Sequence, residues 1–365
     1  MSSSPEIVRV ELGQRSYDIE IGSGTLGQAG PFAARRGPVS HAVVVTDENV
    51  EEPHGLAAAE SLGEVCDRVD MVVVEPGEPS KSPPMAFALW ERLLQLGTDR
   101  TSLIVAVGGG VIGDLAGFAA ATYARGVRFF QVPTSLLAQV DSSVGGKVGV
   151  DLPEAKNMVG AFLQPRGVLV DIATLETLPQ REYRAGLAEV VKYGVILDAE
   201  FFAELEDSVA ELVRREHGVL QRVVARCCRL KADVVEKDER EETGVRAVLN
   251  YGHTFGHAFE TLTGYGKILH GEAVAVGMLC ASRLAERLGR VDARFTARQR
   301  DLLSGLGLLT DPPPLDPDQV LRTMVHDKKT QHGELRFVLP VRLGEVELVR
   351  GIDPAEVRAA LASPG

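Results

Sequence analysis

Three short stretches in the first third of the chain do most to limit its fold: Ala42-Val43-Val44-Val45, Met71-Val72-Val73-Val74 and Leu103-Ile104-Val105-Ala106-Val107. Each is an unbroken apolar run rich in β-branched residues, bounded too closely for a helix and without the polar alternation of a strand that has one wet face. Such runs suit strands covered on both sides, as in a parallel sheet whose crossover helices lie on its faces. Met85 to Leu96, between the second and third runs, has helical spacing and completes a βαβ pattern. Gly167-Val168-Leu169-Val170-Asp171 reads as another buried strand. Near the start, Val8-Arg9-Val10-Glu11-Leu12 and Tyr17-Asp18-Ile19-Glu20-Ile21 alternate apolar and polar residues around Gly13-Gln14-Arg15-Ser16, which predicts a hairpin.

After Leu178-Pro179 the texture changes. Ala199 to Cys228 and Gly271 to Leu288 have helical periodicity and few strand signals. Gly289 is placed to cap the second of these, and Asp353-Pro354 reads as an N-cap followed by proline at the first helical position. The 365 residues are about twice the ~150 of one domain. The expected fold is therefore α/β plus all-α: a Rossmann-like parallel α/β domain over 1–179, then a mostly helical domain over 180–365. Four cysteines, two of them adjacent and none in a C-x-x-C pair, fit a reduced cytoplasm better than a disulfide scaffold. No basic flank with a long apolar run opens the chain, and no stretch nears the ~20 apolar residues that span a bilayer, so neither a signal peptide nor a membrane anchor is expected. The net charge of −12 argues against nucleic acid as a partner, although a local basic site for a small anion remains compatible with it.

Three clusters carry chemistry. Gly108-Gly109-Gly110-Val111-Ile112-Gly113-Asp114 follows a strand and opens a helix-like stretch, so its backbone N–H groups can cradle a pyrophosphate. The turn comes after several strands, not after the first, which points to a variant of the usual dinucleotide fold. Three of the eight histidines lie between 253 and 270; His253 and His257 are four apart on one helix face, and His270 precedes Gly271-Glu272. Imidazoles with a carboxylate form a common zinc set, and Glu189 with Lys192 inside an apolar helical stretch adds such a carboxylate. Spacing alone does not choose among the histidines. Finally, Arg125, Arg128, Lys147, Lys156, Lys192, Lys231, Arg246, Lys328 and Lys329 sit in glycine-rich or apolar surroundings, aimed at phosphate or carboxylate.

These residues resemble the 3-dehydroquinate synthase family over nearly the whole chain. The densest stretches are GGGVIGDLAGF, ATYARGVRFFQVPTSLLAQVDSSVGGK, AKNMVGAF, GLAEVVKYG, CCRLKADVV, LNYGHTFGHAFE and LHGEAVAVGM. The resemblance implies a divalent metal, zinc or cobalt, on Glu189, His253 and His270, with His257 left for acid–base chemistry. It implies NAD against Gly108, Gly109, Gly110 and Asp114, with Asp47, Asn49, Glu78, Lys81, Thr134, Ser135, Thr177 and Leu178 completing that site. It assigns Lys147, Lys192, Asn157, Asp141 and His257 to catalysis, and Arg125, Lys156, Lys231, Arg246, Asn250, Lys328 and Lys329 to the substrate.

The implied reaction turns a small anionic sugar phosphate, 3-deoxy-D-arabino-heptulosonate 7-phosphate, into 3-dehydroquinate and phosphate, within the shikimate pathway of aromatic amino acid biosynthesis. Oxidation by NAD, phosphate elimination, reduction and intramolecular aldol closure follow one another, so NAD is regenerated and the enzyme is a lyase. A cytoplasmic homodimer is also implied by the resemblance. The nearest alternative is another sugar-phosphate cyclase of the same superfamily. An iron-type alcohol dehydrogenase and a non-catalytic nucleotide sensor are further removed. Pro76, Val148 and Glu154-Ala155 depart from the family pattern without removing a proposed ligand.

Overall fold

A computed structural model describes residues 4–153, 155–264, 267–326 and 335–362. The chain forms two compact units. The first runs to Pro179 and takes in His217–Arg240; the second holds Gln180–Glu216 and the chain from Glu241 on. A single break after 179 thus misplaces one segment. The 21-residue helix His217–Lys237 belongs with the first unit, where Glu236 accepts the Glu11 N–H at 2.9 Å and Glu239 pairs with Arg15 at 2.6 Å.

The first unit is built on strands β1 (Glu6–Val10), β2 (Tyr17–Gly22), β3 (His41–Asp47), β4 (Arg68–Val74), β5 (Leu103–Gly108), β6 (Arg128–Pro133), β7 (Lys147–Leu152), β8 (Ala155–Phe162) and β9 (Val168–Asp171). Seven of them form one sheet in the order β1-β2-β9-β6-β5-β3-β4. β1 and β2 are the expected antiparallel hairpin, and the remaining pairings are parallel. The apolar runs feed two cores. Val43, Val45, Ile104 and Ala106 pack with Leu89, Leu93, Leu115 and Phe129 on one face, whereas Ala42, Val44, Leu103 and Val105 pack with Phe32, Leu62 and Phe130 on the other. Period-two geometry sends successive side chains to opposite faces, so a strand covered twice must be apolar throughout. β7 and β8 pair only with each other, as a separate antiparallel ribbon.

In the second unit most described residues are helical: Gln180–Leu197, Ala199–Asp207, Val209–Val213, His253–Thr263, His270–Arg287, Ala293–Gly305, Pro317–His326 and Pro354–Leu361. The periodic stretch from Ala199 is not one helix. It breaks at Ser208 and again before His217, where Arg215 adopts φ 57°. Asp198, Asp292 and Asp353 each cap a following helix through the side chain. Gly289, at φ +68°, closes the helix that ends at Arg287. An antiparallel hairpin of β10 (Arg336–Arg342) and β11 (Glu345–Arg350) also lies in this unit, unlike the strand-poor texture expected there. Among the described residues no helix is long and apolar enough to cross a membrane, and all four cysteines are free.

Candidate metal centre and nucleotide turn

In the first unit, β3 and β5 are neighbours whose onward connections diverge, toward β4 on one side and toward β6 and β9 on the other. Ligands of open α/β sheets bind beyond the carboxyl ends of strands at such a switch point. Asp47 ends β3 and Gly108 ends β5. The helix Gly110–Thr122 starts at once, with Gly109 as an extended N-cap that offers no side-chain bond, so its first N–H groups suit an anion. A Cβ on Gly110 would come within 3.1 Å of Ser142 Oγ, and one on Gly109 within 3.4 Å of Ser135 Oγ. Side chains would fill the space over the turn. Asp47 accepts the Asn49 N–H at 3.0 Å, and burial raises its carboxyl above the usual range. Thr134 donates its N–H to Gly108 O at 3.0 Å. Thr177 Oγ1 lies 2.7 Å from Nε2 of His54, a histidine that the sequence left without a role, and the Leu178 N–H bonds to Leu175 O.

Beside the turn lies a charged network. Lys81, only 5% exposed, reaches Asp114 Oδ2 at 2.5 Å and Asn157 Oδ1 at 2.5 Å. Burial alone would depress this ammonium, but the charges of Asp114, Glu78 and Asp151 outweigh it and raise the pKa. Asn157 sits at φ 56° and donates its N–H to Asp151 Oδ1 at 2.6 Å. Lys156 lies 3.5 Å from Glu78. Asp151 was not among the residues singled out from sequence, since nothing marks it within β7. Lys147 opens the same strand and is exposed. Arg125 is exposed as well, at φ 65° directly after Ala124 at φ 49°, an unfavourable pair of left-handed residues. Lys231, 6% exposed, pairs with Asp141 at 2.6 Å and also donates to its backbone carbonyl, so the helix His217–Lys237 and the Ala138–Ser142 turn hold each other.

In the second unit three helices bring the histidines and Glu189 together. Glycines permit the close approach: a Cβ on Gly271 would collide with the Ala185 carbonyl, and one on Gly277 with that of Gly252. Gly252, at φ +80°, turns the chain into the helix that begins at His253. Glu189 is wholly buried, as is Lys192 one turn later, and their side chains form an ion pair. Lys192 meets Oε2, and Oε1 faces the two imidazoles. His253 Nε2 lies 3.7 Å and His270 Nε2 3.8 Å from Glu189 Oε1. Each imidazole is held from behind through Nδ1, His253 by Tyr251 O at 3.1 Å and His270 by Glu260 Oε2 at 3.3 Å. Burial works against a charged His270, but Glu260 outweighs it and raises the pKa.

This arrangement fits a divalent ion. Tetrahedral ligands ~2.0–2.1 Å from a metal lie about 3.4 Å apart, close to the distances seen. Lys192 leaves Oε1 of the buried carboxylate directed at the imidazoles, and Nδ1 contacts that leave Nε2 facing inward are the usual support of a metal-bound histidine. A second grouping, His257, Glu260 and His270, also places its ligand atoms within 4.8 Å of one another. There, however, Glu260 is already bonded to His270, so it acts as a support. Glu260, like Asp151, was not singled out from sequence; its only signal was a lone carboxylate on an apolar helix face. The His257 ring lies 5.6 Å from that of His253. Arg246, 3% exposed, has Glu241 at 3.5 Å, and Asn250 ends the same short helix. Lys328 and Lys329 lie outside the described residues.

Residues 71–185 match the family model described as 3-dehydroquinate synthase N-terminal, and residues 186–330 match 3-dehydroquinate synthase C-terminal. A 3-dehydroquinate synthase of Desulforamulus reducens is 48% identical over 97% of this chain and 99% of its own length. In fold, the chain is similar to a 2-deoxy-scyllo-inosose synthase complexed with carbaglucose-6-phosphate, NAD+ and Co2+ (TM-score 0.88, 29% identity, 98% of this chain and 99% of that one). It is also similar to a 2-epi-5-epi-valiolone synthase from Streptomyces hygroscopicus with NAD+ and Zn2+ bound (TM-score 0.87, 28% identity, 96% and 97%). The chain belongs to the 3-dehydroquinate synthase family.

Proposed function

We propose that the chain converts 3-deoxy-D-arabino-heptulosonate 7-phosphate to 3-dehydroquinate and phosphate, as a carbon–oxygen lyase of aromatic amino acid biosynthesis acting as a cytoplasmic homodimer. The observation that carries this reading is the buried Glu189 carboxylate facing two Nδ1-tethered imidazoles, in a chain 48% identical to a protein of that activity. The cyclases similar in fold are only 28–29% identical, so their sugar phosphates are the less favoured substrates.

Glu189, His253 and His270 would hold zinc or cobalt, and the Gly108–Gly110 turn with Asp114, Asp47, Asn49, Glu78, Lys81, Thr134, Ser135, Thr177 and Leu178 would hold NAD. When bound, NAD supplies reversible hydride acceptance at a ring hydroxyl and the metal a Lewis acid for that oxygen. The chain's own side chains bind and orient. Lys192, buried beside Glu189, would supply positive charge for a developing oxyanion. The substrate carries both a carboxylate and a phosphate, which accounts for Arg125, Lys147, Lys156, Lys231, Arg246, Lys328 and Lys329 in an acidic chain. Asn157, Asn250 and Asp141 add neutral and acidic hydrogen-bond partners, and His257 exchanges a proton at the phosphate end.

The test is to mix the purified chain with NAD, zinc or cobalt and the heptulosonate phosphate. One phosphate should be released per dehydroquinate formed, with no lasting NADH absorbance. Stoichiometric NADH, or phosphate release without dehydroquinate, overturns the reading.

A further inference from the structure

Within the second unit, Arg283, Arg287, Arg300 and Glu286 line a groove of about 400 Å3, together with the methyls of Ala297 and Ala359. It lies among the helices His270–Arg287, Ala293–Gly305 and Pro354–Leu361. Arg283 stands 13 residues from His270 on one helix, roughly 20 Å at 1.5 Å per residue, so the groove is separate from the metal group.

The charges in it are unevenly matched. Arg287 is paired with Glu356 at 2.7 Å, and Glu286 accepts from Thr296 Oγ1 at 2.9 Å. Arg283 is 8% exposed, yet its guanidinium reaches only Thr310 O, at 3.4 Å, and its Nε and Nη1 have no hydrogen-bond partner. Arg300 Nε is likewise buried without one. Burial depresses the Arg283 guanidinium below its ordinary value, and Arg300 adds to the effect, while the nearby Cys280, Asp311 and Glu286 oppose it. Orphaned donors on a buried cation are expensive, and in native proteins each calls for an ion, a ligand, an ordered water or local strain to account for it.

We propose that this groove is a second ligand site, taking a small organic anion whose carboxylate or phosphate head meets Arg283 and Arg300 while its apolar body lies on the alanine methyls. Two adjacent guanidinium groups match the planar edge of a carboxylate or two oxygens of a phosphate. The site is independent of the proposed reaction, so a failed turnover assay leaves it standing.

Isothermal titration calorimetry of the full chain tests it, with benzoate and inorganic phosphate as separate probes, on the wild type, Arg283→Met and Arg300→Gln. At least one probe should bind one to one, and either substitution should weaken it roughly tenfold or more, with turnover and metal content unchanged. Benzoate binding alone identifies a carboxylate with an apolar body, and phosphate binding alone a phosphate ligand. Arg283→Met removes a buried guanidinium with two unbonded nitrogens and one long hydrogen bond and should not lower the melting temperature; if it does, Arg300→Gln, at a half-buried position, decides. The proposal is overturned if neither probe binds at millimolar concentration, or if both substitutions leave binding unchanged.

Discussion

Replacing Gly252 by alanine separates the two demands that the turn before His253 makes on its backbone. The residue sits at φ +80°, where an L side chain costs roughly 1–2 kcal/mol. A Cβ there would also lie 2.6 Å from Met278 Cγ, 2.8 Å from Met278 N and 2.9 Å from Val274 O. The methionine tip can swing aside, but the two backbone atoms belong to the helix that carries His270. Restoring ordinary contact of 3.4 Å or more moves the turn and that helix apart by about half an ångström. Overpacking of this kind adds about 1–3 kcal/mol, so Gly252→Ala should lose about 2–5 kcal/mol in total. Metal sites tolerate displacements of about 0.2 Å, so the opening should also weaken divalent metal binding by roughly ten- to a hundredfold. Gly289→Ala is the matched control, at φ +68° with nothing within 4 Å of a Cβ; it carries only the conformational cost. Urea denaturation gives the stabilities, and competition with a chromophoric chelator gives the cobalt affinity. If both variants lose the same stability and both keep wild-type cobalt affinity, close backbone approach is not what positions His253.

Four further outcomes are expected. Glu260→Gln keeps a hydrogen-bond acceptor for His270 but loses its charge, and should weaken metal binding roughly tenfold or more; an unchanged affinity would show that the support is dispensable. His253→Ala should abolish metal binding while His257→Ala retains it, and equal loss in the two would reassign the ligands. Lys81→Met strands Asp114, whose side chain is 20% exposed, so its cost should lie near the lower end of the 3–5 kcal/mol for breaking a buried pair, about 3 kcal/mol. A loss below about 1 kcal/mol by urea titration would mean that water replaces the ammonium. The Asp99 carboxyl, bonded to the Thr101 hydroxyl and to the Thr101 and Ser102 donors, is lowered from 3.8 to about 2. Because the folded value is the depressed one, its stabilisation is present above about pH 4 and lost as pH falls toward 2. Asp99→Asn should flatten acid unfolding over that window, as followed by circular dichroism, and an undiminished slope would count against it.

The parallel strands were legible because burial on two faces leaves a mark that composition alone carries: Val43 and Val44 serve different cores, so both must be apolar. β8 left no such mark. Its residues Asn157 to Gly160 are exposed, and a ribbon partnered only by β7 does not need an apolar run. The histidines were visible as a group, yet the choice among them rests on Nδ1 contacts with Tyr251 O and Glu260, partners set by three-dimensional packing and not by helical spacing. Periodicity over Ala199 to Cys228 could not reveal the breaks at Ser208 and Arg215, since short helices laid end to end keep much the same rhythm. Nor could it assign the helix His217–Lys237 to the first unit, because an amphipathic face records that something covers it, without recording what.

That helix has a consequence for synthesis. The hairpin strand at Glu6–Val10 is made some two hundred residues before the segment whose Glu236 closes on it. A ribosome therefore delivers the whole parallel sheet, then thirty-odd residues of the other unit, and only afterwards the piece that completes the first. Such long-range closure is slow and leaves apolar surface waiting. Fragments ending at Pro179 should emerge sticky and short of Lys231, whereas a circular permutant that joins 217–240 directly to the sheet should acquire its native packing sooner.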